Sequence, residues 1–167
     1  MAMQRSLPLI LILLITWVFV SVALSDDLIT AKVVGVADGD SITALANGNR
    51  QVKIRLHGID CPEGKQAFGK RAKQFTSSQC FSKTIRYREV DTDRYGRTVA
   101  TVYPDDGREL NLEILKAGLA WHYKRYSKRQ DYADAENQAR TERLGLWADK
   151  NPTAPWQWRR ERRNRSS

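Results

Sequence analysis

The spacing of apolar residues changes along this chain from a period of two to a period near 3.6. In the segment after Asn49, apolar Val52, Ile54 and Leu56 alternate with polar residues, as in a half-buried strand that turns Arg55 away from the core. Runs rich in β-branched residues and bounded by turn residues indicate further strands. Five strands are predicted, near residues 30–37, 41–45, 52–57, 84–90 and 97–103.

Helical spacing appears in three places. Residues 64–79 are helix-compatible, and residues 111–117 form a short apolar stretch that Asn111 is predicted to cap and Gly118 to end. Ser127 and Gln130 form a capping box for a longer helix through Arg143. One helix among five strands, followed by two more helices, predicts an α+β fold: a five-stranded OB-fold barrel with three helices.

The two ends of the chain differ from this pattern. Arg5, an apolar run from Leu7 to Val20 and the small residues before Asp26 have the layout of a signal peptide, residues 1–25. An uncleaved membrane anchor is the alternative, since the run is close to the ~20 residues of a spanning helix. Residues 26–149 are predicted to form the folded domain, and residues 150–167 an unpacked, flexible basic tail. The expected location is the periplasm or the exterior.

Net charge indicates the class of partner, whereas the pairing of the two cysteines is left open. The formal net charge is +9, which favours a polyanionic partner, either nucleic acid or an anionic surface. Cys61 and Cys80 lie in the exported part, where they either form a disulfide or remain two buried thiols.

Carboxylates in two separate stretches are candidates for binding a hard cation. Asp38 and Asp40 flank Gly39 and project to the same side of an extended run, although Asp-Gly-Asp alone is more typical of a simple turn. Asp60 ends the strand that carries Arg55. Pro62 holds Cys61 extended, so that the Cys61 carbonyl can join the carboxylates as an oxygen ligand. Glu63 follows closely enough to orient or deprotonate a water.

Two arginines supply the positive charge that a phosphodiester cut requires. A guanidinium binds two phosphate oxygens at once, and Arg55 and Arg97 stay charged at any working pH. His57 and His122 are interpreted as structural rather than as general bases. The aromatic residues Trp121, Tyr123 and Tyr126 are interpreted first as packing and second as a base-stacking surface.

Four ordered motifs then resemble those of the staphylococcal nuclease family. They cover about residues 30 to 147 and are Val36 to Ser41, Arg55 to Glu63, Asp93 to Arg97 and Gly118 to Ala120. The resemblance implies an OB-fold nuclease that cuts DNA and RNA with Ca²⁺ and leaves 3′-phosphates. It implies roles for nine residues: Asp40, Asp60 and the carbonyl of Cys61 as metal ligands, Asp38 in the outer shell, Glu63 at the attacking water, Arg55 and Arg97 on the phosphate, and Arg94 with Tyr95 at the nucleotide's terminal phosphate.

Departures from the family pattern affect substrate preference more than the reaction. The segment after Glu63 is shorter than in the founding member, and Lys65 and Lys70 are the candidates there to replace the family's loop lysine. Lys124 stands where the founding member has a stacking tyrosine. The sequence therefore predicts a monomeric, Ca²⁺-dependent nuclease acting on DNA and RNA. The alternative is a non-catalytic OB-fold module that binds nucleic acid, and a third hypothesis makes the basic tail a membrane anchor.

Overall fold

The structure is a computed structural model that describes residues 28–165. The predicted signal peptide, residues 1–25, lies outside the described residues. Within the described part, no helix is long and apolar enough to cross a membrane.

The described residues form seven strands, four α-helices and one 3₁₀ turn in mixed order. The strands are β1 (Leu28–Asp38), β2 (Ser41–Ala46), β3 (Arg50–Leu56), β4 (Ile59–Asp60), β5 (Thr84–Thr92), β6 (Thr98–Pro104) and β7 (Trp121–His122). The helices are α1 (Gly69–Cys80), α2 (Leu110–Lys116), α3 (Gln130–Thr141) and α4 (Pro155–Arg165), and the 3₁₀ turn is Gly145–Ala148.

Five of the strands close into a barrel in the order β1-β2-β3-β6-β5, with β5 returning to pair with β1. The pairs are antiparallel except for β3 with β6, which run parallel. The short strands β4 and β7 pair separately and set Asp60 opposite Trp121. The prediction of a five-stranded OB-fold barrel in an α+β fold is confirmed, with four α-helices in the described part where three were predicted.

The core lies inside the barrel and under the helices, as the alternation predicts. Val52, Ile54 and Leu56 are all buried, whereas Lys53 between them is exposed. Tyr87 on β5 and Ile114 on α2 are also fully buried. Burial of apolar side chains on the inner face of each strand therefore selects the register of the barrel.

The predicted cap at Asn111 is wrong, because α2 begins at Leu110 and Asn111 lies inside it. Its fully buried side chain crosses to the barrel instead. The amide nitrogen donates to the carbonyls of His57 and Ala100, and the amide oxygen accepts from Val102 N. These bonds satisfy buried backbone groups, so Asn111 joins α2 to the barrel wall.

The predicted capping box at Ser127 and Gln130 is also wrong. Helix α3 begins at Gln130 with Arg129 as its N-cap residue, and no side chain caps it. The Ser127 hydroxyl accepts from Arg129 N, which makes a local turn before the helix.

The tail prediction fails for residues 155–165, which form α4. Pro155 takes the first helical position, where its missing N–H costs nothing, and the Ala154 carbonyl accepts from Gln157 N and Trp158 N. Ala154 and Pro155 are buried, so the segment packs on the rest of the molecule.

The two cysteines, for which pairing was left open, are both free and buried. Cys80 on α1 donates its thiol to the Thr76 carbonyl. Burial raises the pKa of Cys80 to about 12, since the thiolate is poorly solvated there. Both residues therefore behave as small core residues.

Gly118 and Gly145 bring the end of α2 and the 3₁₀ turn into backbone contact. Both have positive φ, and a Cβ on Gly118 would lie 2.3 Å from the Leu144 carbonyl oxygen. The Gly118 carbonyl in turn accepts from Leu146 N. Neither backbone has room to move aside for a side chain.

This contact gives a stability prediction with a matched control. Gly118→Ala adds strain and a backbone clash, which we expect to lower the free energy of unfolding by roughly 3 kcal/mol. Gly48→Ala changes a residue of similar φ with open space around it, so we expect a loss of about 1 kcal/mol. Urea unfolding measures both, and equal losses would contradict the clash.

Candidate active site

Helix α1 fixes the turn that carries Asp38 and Asp40. A Cβ on Gly39 would lie 2.7 Å from Ala72 Cβ and 2.8 Å from Cys61 Cβ. Only glycine therefore fits between helix α1 and Cys61, the residue that follows β4. The Thr76 hydroxyl donates to the Gly39 carbonyl at 2.6 Å. The turn is thereby held to α1 on one side and to the Cys61 segment on the other.

Asp40 and Asp60, distant in sequence, meet at one guanidinium. Arg55 NH1 lies 2.7 Å from Asp40 Oδ2, and Arg55 NH2 lies 2.8 Å from Asp60 Oδ1. The Asp40 carboxylate also accepts from Cys61 N at 2.6 Å and from the Ser41 hydroxyl. The structure therefore brings together Asp40, Asp60, Arg55 and the Cys61 backbone, with the Cys61 N–H rather than its carbonyl in contact with Asp40.

Burial and the neighbouring charges shift the pKa values of Asp40 and Arg55 in this cluster. Burial raises the pKa of Asp40 to about 8, with Asp38 and Asp60 adding repulsion, while Arg55 and the Cys61 N–H act in the opposite direction. Although burial disfavours its charge, the neighbouring Asp40 and Asp60 raise the pKa of Arg55. The acidic residues thus exceed the positive charge that Arg55 alone can supply.

The loop after Pro62 folds back and sets Glu63 beside Asp60. Glu63 N donates to Gln66 Oε1 and the Glu63 carbonyl accepts from Gln66 N. A Cβ on Gly69 would lie 1.9 Å from the Glu63 carbonyl oxygen, so the tight loop needs glycine at the start of α1. Glu63 is half-buried at the site's edge.

A residue that the sequence analysis did not select, Arg159 of α4, contacts both Asp60 and Glu63. Its NH2 lies 2.8 Å from Asp60 Oδ2, and its NH1 lies 2.6 Å from Glu63 Oε1 and 3.3 Å from Asp60 Oδ1. The sequence contains two features that favour a helix here. Pro155 suits a first helical position, and Gln157 and Glu161 are four residues apart, a spacing at which their side chains form a hydrogen bond. Nothing local in the sequence shows where such a helix packs.

Arg94, Tyr95 and Arg97 form a second group on the turn between β5 and β6. Arg97 Nε donates to Asp93 Oδ2 at 2.7 Å, and the guanidiniums of Arg94 and Arg97 both lie over the Tyr95 ring. Tyr95 is 70% exposed. Arg97 lies two residues before Val99, which pairs with Arg55, so the turn that carries the second group leads into the strand next to Arg55.

The two histidines bind backbone carbonyls outside the carboxylate cluster. His57 Nε2 lies 3.1 Å from the Tyr126 carbonyl oxygen, and His122 Nε2 lies 3.0 Å from that of Ser127. Tyr123 stacks on Trp156 at 5.2 Å between ring centroids, and Trp121 meets the same ring edge-on. These aromatic rings hold α4, whereas Tyr126 and Lys124 are exposed.

The donor set is compatible with a hard divalent cation. Within residues 28–165, no three His, Cys, Asp and Glu side chains are grouped as a metal site. Two carboxylates do converge, at Asp40 and Asp60, beside the Cys61 backbone. Ca²⁺ takes carboxylate, carbonyl and water oxygens together, so these residues fit it with water completing the shell.

Comparison with known proteins agrees with this geometry. A family model described as staphylococcal nuclease homologue matches residues 53–149. A Haemophilus influenzae protein named as an uncharacterized endonuclease is 45% identical over 132 residues, which are 79% of this chain and 74% of the relative. This chain belongs to the staphylococcal nuclease family.

Further relatives in the family extend the match. A Shigella flexneri protein named micrococcal nuclease is 40% identical over 143 residues, 80% of this chain and 82% of the relative. An Escherichia coli O157:H7 protein named as an uncharacterized endonuclease is 36% identical over 157 residues, 94% of this chain and 98% of the relative. The prediction of a phosphodiester hydrolase of the endonuclease type is confirmed, which supports the enzyme over the non-catalytic module.

The raised pKa of Asp40 predicts how stability depends on pH in EDTA. Between the ordinary aspartate pKa and about 8, the folded state holds a proton that the unfolded state has lost, so stability falls as pH rises. In Asp40→Asn this loss disappears. Whatever the variant loses from the missing charge pair, we expect its stability relative to the parent to rise by about 2.6 kcal/mol from pH 5 to pH 7, because only the parent is destabilised over that range.

Denaturant unfolding at several pH values measures the effect. Asp105→Asn, at an exposed position, is the control and should follow the parent curve. Parallel curves for Asp40→Asn and the parent would show that the Asp40 carboxylate titrates as in the unfolded chain.

Proposed function

We propose that this protein is an exported, Ca²⁺-dependent nuclease that cuts DNA and RNA and leaves 3′-phosphates. The observation that carries the proposal is the meeting of Asp40 and Asp60 at Arg55, with Glu63 at the edge of the same cluster. Its family and its nuclease-named relatives support the reaction class. Export rests on the N-terminal sequence, and a polyanionic substrate on the net charge of +9.

In this proposal Asp40, Asp60 and the Cys61 carbonyl hold the cation, and Asp38 acts from the outer shell. A bound divalent cation would neutralise phosphate charge and lower the pKa of a water. Asp38 already constrains Asp40, since its Oδ1 accepts from Asp40 N at 3.2 Å. Holding two buried carboxylates at fixed positions before substrate arrives avoids paying for their reorganisation during the reaction.

Glu63 is the group that takes a proton from the attacking water. Its carboxylate lies at the site's edge and is 34% exposed, so it is open to solvent while its backbone is held by Gln66. A general base of this kind has to reach the water directly, within hydrogen-bond distance.

The arginines stabilise charge on the phosphate. Arg55 and Arg97 each present a planar fork that matches two phosphate oxygens, and both are now paired with carboxylates that hold them oriented. Charge increases on the phosphate oxygens in the transition state, so these donors act most strongly there. Arg94 and Tyr95, exposed on the same turn as Arg97, contact the nucleotide's terminal phosphate.

Cation dependence is the first prediction from this proposal. Purified protein should degrade labelled single- and double-stranded DNA and RNA with added Ca²⁺ and lose this activity in EDTA, because Asp40 and Asp60 need a cation between them and the phosphate. A 5′-kinase should label the product ends without phosphatase treatment, because a cut that leaves a 3′-phosphate also leaves a 5′-hydroxyl. Labelling only after phosphatase treatment would show 5′-phosphate ends instead. Full activity in EDTA would remove the cation from the mechanism.

Glu63→Gln tests the general base. The amide keeps the size of the side chain but takes up no proton, so we expect the cleavage rate to fall by at least ~10²-fold with DNA binding retained. Single-turnover cleavage and fluorescence anisotropy measure the two effects. Glu89→Gln, exposed on β5, is the control for the lost charge, and an active Glu63→Gln enzyme would mean that another group is the base.

A further inference from the structure

The contacts of Arg159 lead beyond the proposed reaction. We propose that Arg159 of α4 competes with the divalent cation for Asp60, so that α4 sets the cation concentration at which the site fills. The inference rests on the proposed cation site at Asp40 and Asp60. It adds a residue that neither the family motifs nor the proposed mechanism includes.

The helix that carries Arg159 is held beside the site at two points. Gln66 Nε2 donates to the Thr153 carbonyl at 2.6 Å, while Gln66 Oε1 accepts from Glu63 N, so one side chain joins the Glu63 loop to the start of α4. Trp156 stacks on Tyr123, which follows the strand paired with Asp60. The position of Arg159 is therefore built into the fold.

Guanidinium groups already bind both oxygens of Asp60. Arg55 NH2 and Arg159 NH1 donate to Oδ1, and Arg159 NH2 donates to Oδ2. A carboxylate has about four lone-pair positions, and three of these accept hydrogen bonds here. A cation ligated by Asp60 at the usual ~2.3–2.6 Å would also face the positive charge of Arg159 at close range. Cation binding at Asp60 and the Arg159 contact therefore oppose each other.

The two arginines differ in how easily they can leave. The Arg55 side chain is 16% exposed and comes from the barrel, whereas that of Arg159 is 35% exposed and comes from a surface helix. Although burial disfavours its charge, the bonds to Asp60 and Glu63 raise the pKa of Arg159, so it competes as a permanent cation. Arg159 can turn into solvent by side-chain rotation while Arg55 stays in place.

The experiment compares Ca²⁺ affinity by isothermal titration calorimetry without nucleic acid. We expect Arg159→Gln to bind Ca²⁺ about 5- to 50-fold more tightly than the parent, since it removes a competitor from Asp60. Arg160→Gln removes the same charge from an exposed position on the same helix. It should change the affinity less than ~2-fold at 0.15 M salt, where charges about 8 Å apart are largely screened.

A second variant and a second measurement distinguish the loss of competition from misfolding of the variant. Arg159→Lys keeps the charge but loses the fork, so its affinity should lie between those of the parent and Arg159→Gln. In EDTA, Arg159→Gln should melt at a lower temperature than the parent, and added Ca²⁺ should raise its melting temperature by more. Circular dichroism checks that each variant is folded.

The outcomes separate this inference from the proposed function. Parent and Arg159→Gln binding Ca²⁺ equally, or the variant binding more weakly, would overturn the competition and leave the cation site intact. Ca²⁺ binding by Arg159→Gln with no detectable binding by the parent would support the competition most strongly. Absence of Ca²⁺ binding in every variant would overturn the inference together with the cation half of the proposed function.

Discussion

The arrangement of the site depends on one buried interaction, the bridge that Arg55 makes between Asp40 and Asp60. Asp40 comes from the turn between β1 and β2, Arg55 from the barrel strand β3, and Asp60 from β4 outside the barrel. Buried carboxylates need a positive partner, and removing one member of such a pair typically costs about 3–5 kcal/mol. The bridge therefore aligns three segments of backbone and at the same time collects the acidic groups that a cation would bind.

The barrel could be predicted because its information is local and repeated. Alternating burial in β3 and turn residues between strands specify both the strands and the face that carries Arg55. The convergence of Asp40 and Asp60 followed from ordered motifs. By contrast, Asn111 and Ser127 have the local signature of helix caps, and tertiary contacts decide otherwise: Asn111 is used to satisfy backbone groups of the barrel.

Helix α4 shows the limit of reading this chain locally. Arg159 and Asp60 are 99 positions apart, and no periodicity connects them. A basic segment that follows two prolines is typical of a solvated tail. The stacking of Tyr123 on Trp156, the bond from Gln66 to Thr153 and the Arg159 contacts show instead that it is a docked helix. The charge of a segment indicates which kinds of group it attracts, but only the folded structure shows which residues it contacts.

Two guanidiniums on a single carboxylate have a consequence for genetics at this site. Any substitution that neutralises position 60 removes the carboxylate that Arg55 and Arg159 share and leaves them with Asp40 and Glu63 alone. Repulsion between the two guanidiniums is then less well balanced, which weakens the contact between the barrel strand and the final helix. Loss of function at that position then mixes ligand chemistry with distortion of the surrounding scaffold. Compensating changes are to be sought at Arg159 before anywhere else, because a second-site suppressor there would restore electrical neutrality.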